Sequence, residues 1–309
     1  MSIDYSSNNV FVDNDFDRWA EKRTNPEWVE RRLADSNTRF VGIWKHRCAL
    51  ADQQLHYFDA AQLSQFDLDK AILLGNVDGA ACFALDFGDA ESPPEPVAHY
   101  DYQGLRGIGM TLDESSAALA AYAQAMVFWH RRHQFCGSCG SSTAAQDAGH
   151  VLQCTSCKHR SFPRSDPAVI VLAARDDKVL LGRQASWPPG RYSTIAGFVE
   201  PGESLEATVR REVTEETGHV ATQVRYFSSQ PWPFPASLML GFSATVSAEP
   251  VCEPDEELEE VRWFTRQDII DRETNGTKLV PPPLSIAYRL VEHWFNLDSD
   301  VPLADITRP

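Results

Sequence analysis

The chain has 309 residues, 43% hydrophobic and 23% charged, the profile of a soluble globular protein long enough for two domains and a sizeable core. Its formal net charge of −16 argues against a molecule built mainly to coat nucleic acid or an anionic membrane, and it makes a cation useful for holding an anionic substrate. No apolar run reaches the ~18 residues of a membrane helix, no basic flank precedes an apolar segment at the N-terminus, and seven cysteines are an odd number for a disulfide framework. A cytoplasmic protein with no membrane contact is expected.

In chain order, Val10 to Arg23 predicts one short strand and a turn of helix, and Pro26–Leu33 a helix. Arg39 to Lys45 alternates apolar residues as a strand does, and Ala71 to Phe87 reads as a hairpin turning at Asp78-Gly79, with Cys82 in the core. Glu91 to Val97 is a proline-rich loop. These pieces predict a small α+β domain, residues 1–130, with no catalytic constellation of its own; Arg106 is a surface residue or a phosphate contact. The domain ends in a long helix, Asp113 to Arg132, with Leu119, Tyr122, Met126 and Trp129 as its buried stripe. The basic run His130 to His133 complements the negative pole of that helix.

Residues 131–163 carry Cys136-x2-Cys139 and, fourteen residues on, Cys154-x2-Cys157. Two such knuckles match a tetrahedral Zn²⁺ site closed by four thiolates, which leaves no position for substrate and so holds the fold. The rival reading is a redox pair. Segment 131–166 has five Lys/Arg against two acids, contrary to the overall charge. That excess either steers phosphate or RNA or is a solvated ribbon surface.

From residue 164 to 309 the pattern changes. Ala168 to Ala174 and the KVLLGRQ run read as buried hairpin strands around Asp176-Asp177, followed by the strand STIAGFVE. Pro201-Gly202 then make a turn, Ser204 or Glu203 caps a helix, and Leu205, Val209 and Val213 repeat every fourth residue as its buried stripe up to a stop at Gly218. On that helix Glu212, Glu215 and Glu216 fall at i, i+3 and i+4, a crowd of carboxylates of the kind Mg²⁺ uses, its shell completed by a diphosphate. The alternative is a solvated acidic face. Beyond it, Ser229 to Met239 has prolines at alternate positions, predicting a stiff extended loop with Trp232 and Phe234 projecting to similar sides, either as a wall for a flat ring or as core.

The spacing Gly197-x5-Glu203-x7-Arg211-Glu212-Val213-x-Glu215-Glu216-x-Gly218 resembles the Nudix box. With the cysteine ribbon ahead of it and QPWPFPAS a dozen residues beyond, the chain resembles the NudC-type NADH pyrophosphatases. The resemblance implies an α/β (α+β) fold: a Nudix α/β/α sandwich with an N-terminal α+β domain and an intervening zinc ribbon. It implies cleavage of the pyrophosphate of NADH or NAD⁺ to NMNH or NMN and AMP by a metal-activated water, removal of NAD caps from RNA, and a homodimer. Carried over by position, Glu212, Glu215 and Glu216 bind Mg²⁺ or Mn²⁺ and organise the water, joined by Glu257 and the Ala196 carbonyl, with Arg211 as an orienter paired to a glutamate. Gln230, Pro231, Trp232, Pro233, Phe234, Pro235, Ala236 and Ser237 line the substrate, Phe162 and Phe198 stack on a base, and Ala287 is a further substrate position. His219 replaces the usual aliphatic residue of the box, and Phe162 stands where many relatives have tyrosine. Hydrolysis of ADP-ribose or of dinucleoside polyphosphates, and a non-catalytic nucleotide- or RNA-binding regulator, are the alternatives.

Overall fold

The computed structural model describes residues 5–13 and 15–307, and these fall into two compact units. One comprises Val10–Ser165 with Trp232–Ala236; the other comprises Met1–Asn9, Asp166–Pro231 and Ser237–Pro309.

In the unit that starts at Val10, α1 (Pro26–Leu33) opens on Asn25, whose side chain accepts from Trp28 N, with proline at the first helical position where no N–H is needed. The strands β1 (Arg39–Trp44), β2 (Arg47–Ala51), β3 (Gln54–Leu55), β4 (Ile72–Val77), β5 (Ala80–Asp86) and β6 (Asp101–Gly104) make one sheet in the order β3-β2-β1-β5-β4, with β6 also on β2. β1 and β5 are parallel, and β4 and β5 are the expected hairpin, with Asp78 and Gly79 both at positive φ in its turn. After the short α2 (Leu105–Ile108), α3 (Glu114–Arg132) is capped by Asp113, which accepts from Ser116 N at 2.9 Å. Its buried face is rich in alanine around Leu119, Met126 and Trp129, while Tyr122 is only half-buried. The strand expected between Val10 and Arg23 does not form among the described residues; a single 3-10 turn at Ala20–Lys22 is the regular structure there. Four aspartates or asparagines within fourteen residues favour local side-chain turns over a ladder, and the side chains of Asp13 and Asp17 do accept from backbone N–H groups two residues on. A small three-stranded sheet, β7 (Thr143–Gln146), β8 (Val151–Cys154) and β9 (Arg160–Ser161), follows.

The other unit is a sheet between helices. Its strands β10 (Asp166–Arg175), β11 (Lys178–Arg183), β12 (Ile195–Phe198), β13 (Ala221–Trp232), β14 (Ser237–Val246) and β15 (Glu260–Thr265) run in the order β13-β14-β10-β11-β15, with β12 on β10. Helix α4 (Leu205–Thr217) sits between β12 and β13 in the chain, and α5 (Arg266–Thr274), α6 (Ile286–Leu297) and α7 (Leu303–Ile306) follow β15. β10 is the central strand. Its Ile170 and Leu172 pack with Ile286, Leu290 and Val291 of α6, and its Val169, Val171 and Ala173 pack with Val209 and Val213 of α4. Burial on both faces explains why the strand reads as an unbroken apolar run, and it makes this unit the α/β/α sandwich.

The proline-rich stretch differs from the expected extended loop. β13 runs on through Pro231 to Trp232 and β14 begins at Ser237, so only residues 233–236 turn. Pro231 lies near the end of an edge strand, where the missing N–H costs no ladder bond.

Candidate active site

α4 is built to stand still while carrying repelling charges. Ser204, not Glu203, is its cap, accepting from Ala207 N at 3.2 Å, and Gly218 closes it in the left-handed conformation with φ +72°. Val209 and Val213 are fully buried, each contributing about 2 kcal/mol. Like-charge pairs one turn apart on a surface helix cost a few tenths of a kcal/mol, roughly, so the apolar stripe holds the helix against its acids.

Glu203 is free of capping because it holds Arg211. The guanidinium donates to Glu203 Oε1 at 2.7 Å and Oε2 at 2.9 Å, and the same carboxylate accepts from Thr208 Oγ1 and Glu200 N. Arg211, with those neighbours, holds the Glu203 carboxyl at about 2. The guanidinium also reaches Glu212 Oε1 at 2.7 Å, Glu215 Oε2 at 3.0 Å and the Phe198 carbonyl at 2.9 Å. The expected orienter therefore serves three glutamates and a strand end.

Glu216 is different. It is buried, and no ion pair reaches it among the described residues. Burial, then the charges of Glu257, Glu212, Asp255 and Glu215, push its carboxyl up to about 9. Burial likewise raises Glu212. The loop after β14 brings its acids here by backbone bonds: Val251 N donates to Gly218 O, and Asp255 N to Glu215 O at 2.7 Å. Asp255 was missed in the sequence; it stands two residues before Glu257 at the head of the same acidic run.

β12 supplies the opposite wall. A Cβ on Gly197 would lie 1.9 to 2.2 Å from the Glu212 carboxyl, so only glycine lets the strand back onto that side chain. Ala196, its neighbour, pairs with Ile170 of β10. A buried acid without a counter-charge and a glycine-walled carboxylate fit a divalent cation. Such an ion keeps water and phosphate oxygens in its shell, so its protein ligands need not close around it.

Other expected residues fall as follows. Phe198 is exposed at the end of β12, and Ala287 is buried in the first turn of α6. The Gln230 amide is buried, donating to Leu284 O at 2.9 Å and accepting from Ile286 N at 2.8 Å. Pro231 and Ser237 belong to this unit, and Trp232, Pro233, Phe234, Pro235 and Ala236 to the other. There the Trp232 and Phe234 rings meet edge to face at 4.9 Å, Gln124 donates to Pro233 O, and the Arg106 guanidinium stands 4.2 Å from the Phe234 ring centre. Phe162 is half exposed, with Arg160 5.6 Å from its ring centre. His219 is buried, with Nδ1 2.8 Å from Ser247 O and its ring edge-on to Trp263, so the polar substitution in the box has a partner.

The sulfurs of Cys136, Cys139, Cys154 and Cys157 all lie within 4.8 Å of one another, with Cys136–Cys157 at 3.7 Å and Cys139–Cys154 at 3.4 Å. Zn–S bonds of about 2.3 Å in a tetrahedron put sulfurs about 3.8 Å apart, so the set fits zinc. In each knuckle the residue after the second cysteine, Gly140 or Lys158, takes positive φ, and a backbone N–H reaches a ligand sulfur: Ser138 N to Cys136 and Cys157 N to Cys154.

The chain matches the family models described as NUDIX domain over residues 164–282, NADH pyrophosphatase-like rudimentary NUDIX domain over 11–129, and NADH pyrophosphatase zinc ribbon domain over 131–162. The NAD-capped RNA hydrolase NudC of Stutzerimonas stutzeri is 39% identical over 84% of this chain and 83% of its own length. That of Pseudomonas aeruginosa is 44% identical over 62% and 65%. Human NAD-capped RNA hydrolase NUDT12 is 38% identical over 62% of the chain, which spans only 44% of that longer relative.

Three outcomes test the site. Because the native state holds a proton on Glu216 that the unfolded state releases near 4.5, the cation-free protein loses stability as pH rises from about 4.5 to about 9. Thermal unfolding across that range, with zinc content verified, will show this slope, and Glu216→Gln will flatten it and raise Tm at the alkaline end. Gly197→Ala will keep fold and zinc but weaken divalent-cation binding in a titration and lower turnover roughly 100-fold, the scale of an ångström misplacement at a reacting centre. Cys136→Ser will lose zinc and melt at lower temperature; a zinc-free variant with the parental Tm would contradict the structural role.

Proposed function

The chain belongs to the NudC-type NADH pyrophosphatase family of Nudix hydrolases, and from that premise we propose that it cleaves the pyrophosphate bond of NADH and NAD⁺, yielding NMNH or NMN and AMP, and removes NAD caps from RNA. The observation that carries the reading is the acid cluster of α4. Arg211 and Glu203 fix Glu212 and Glu215, Gly197 makes room for Glu212, and buried Glu216 is left without a cation of the protein's own.

On this reading Glu212, Glu215, Glu216, Glu257 and the Ala196 carbonyl hold Mg²⁺ or Mn²⁺. Such ions neutralise the pyrophosphate and lower the pKa of a bound water. The protein's own part is orientation. Arg211 keeps two carboxylates in place while satisfying Glu203, and Glu216, which holds its proton until a cation takes that place, completes the set beside Asp255. Phe162, Phe198, Gln230 to Ser237 and Ala287 are assigned to the substrate, and the Trp232 and Phe234 rings, edge to face with the Arg106 guanidinium beside them, offer aromatic and cationic contacts of the kind a dinucleotide takes. The names of the relatives support NAD-capped RNA as a second substrate. A homodimer in the cytoplasm is part of the same proposal, resting on the family resemblance and on unpaired thiols such as Cys48 and Cys82. Among the described residues no helix is long and apolar enough to cross a membrane.

The test is product analysis of zinc-replete protein with Mg²⁺ or Mn²⁺ and, in parallel, NADH, NAD⁺, ADP-ribose and a short NAD-capped RNA. AMP will be released faster from NADH than from NAD⁺ or ADP-ribose, and Glu216→Gln will cut turnover by roughly 100-fold or more in a folded protein. Equal rates on all dinucleotides would leave a broader hydrolase, and no cleavage by folded protein would leave a binding protein.

A further inference from the structure

β13 is the first strand in the order of its sheet, so one edge of a strand running Ala221–Trp232 has no strand beside it among the described residues. Over its last third that edge is met by the start of the chain. Asn9 Nδ2 donates to Ser228 Oγ at 3.1 Å and to Ser229 O at 2.8 Å, and Ser229 N donates to Ser6 Oγ at 3.1 Å. Tyr5 stacks on Phe227 at 4.6 Å and 15°, and both rings meet His293 of α6 at 5.0 Å. Both main-chain polar groups of Ser229, which an open edge leaves to water, are thus taken by side chains about 220 residues earlier. Asn9 is 4% exposed and Ser228 0%, so these bonds are shielded from solvent competition.

The next residue is gripped from elsewhere. The Gln230 amide bonds both Leu284 O and Ile286 N, tying the strand end to the first turn of α6, where Ala287 lies. Three consecutive residues, Ser228 to Gln230, are therefore fixed immediately before Pro231 and the turn.

We propose that the N-terminal segment Ser6–Asn9 is a positioning element of the substrate loop. It sets the end of β13 and, through Gln230, the first turn of α6, so that substrate affinity depends on residues far from the Nudix box. This rests on the assignment of Gln230 to Ser237 and Ala287 to the substrate. Asn9 acts through Ser228 and Ser229 and takes no part in the chemistry on the acids of α4.

The test is Asn9→Asp in the full chain, a change that keeps the shape but removes both N–H donors and sets a carboxylate against the Ser229 carbonyl. Deuterium exchange of residues 226–231 in substrate-free protein will speed up, KM will rise about tenfold and kcat will stay within about twofold, the split expected when binding geometry and not the chemical step is disturbed. Ser6→Ala, a milder change, will move exchange and KM in the same direction and keeps the test open if Asn9→Asp folds poorly. Unchanged exchange, or faster exchange with unchanged KM, overturns the proposal, the latter leaving the segment a merely structural strap. KM is measured on whichever dinucleotide the wild type cleaves, so a wrong choice of NADH does not mimic a failed strap. A wild type that neither cleaves nor binds any of them removes the premise, and the proposal with it.

Discussion

Glu212, Glu215 and Glu216 share one patch of α4 with a single guanidinium, and Arg211 bonds the first two while leaving the third buried. Everything around the patch follows from that imbalance. The helix must be anchored well enough to bear it, which Val209, Val213, the Ser204 cap and the Gly218 stop provide. Arg211 must itself be held, which occupies Glu203 in full and explains why the cap falls to Ser204. Backbone must come close enough to wall the carboxylates without adding a methyl group, which requires Gly197. In its cation-free state the protein meets the crowding of these acids by keeping a proton on Glu216, and a divalent cation would take that proton's place.

The cysteine site solves the opposite problem. Four thiolates would close a zinc ion off from other ligands, each knuckle folding a left-handed residue and an N–H donor around a sulfur, and the bound metal would supply folding energy to a ribbon with only ten strand residues. An open, oxygen-lined, over-charged site exchanges ligands; a closed sulfur site does not. Donor chemistry alone separates the structural ion from those that can meet a substrate.

Local signals carried much of this into the sequence. Pro26–Leu33, Asp78-Gly79 and the run Ala168 to Ala174 announced α1, the β4–β5 hairpin and the buried β10 because helix starts, turns and burial act over a few residues. The box was legible for the same reason: its acids and its glycine stop ride one helix. The misreadings came from long-range packing. Prolines 231, 233 and 235 looked like a loop, yet the first lies within an edge strand, where a missing N–H is harmless. Gln230 keeps its reading as a substrate position, but the bonds of its amide to residues more than fifty positions away have no local signal in the sequence. Asp255 heads the acidic run that holds Glu257, but its backbone bond to Glu215 has no local signal, and neither has the contact of Asn9 across 220 residues.

The two sheets show what turns such a scaffold into a site. In the unit starting at Val10 the path β4-β5-β1-β2-β6 has β1 parallel to β5 and antiparallel to β2, β4 antiparallel to β5, and β6 antiparallel to β2. In the other unit β13-β14-β10-β11-β15 repeats the plan, with β10 parallel to β14 and antiparallel to β11, and β15 antiparallel to β11. The match to a rudimentary NUDIX domain describes the same relation. The difference lies in one connection. Between β11 and β13 the chain inserts β12 and α4, hence Gly197, Arg211 and the glutamates; between β3 and β4 the corresponding stretch offers one 3-10 turn at Leu68–Lys70. The same strand plan occurs in the unit starting at Val10 with no such glutamates on a helix there among the described residues. Chemistry was a property of the connection, and the strands supplied only the rigid wall against which its carboxylates are held.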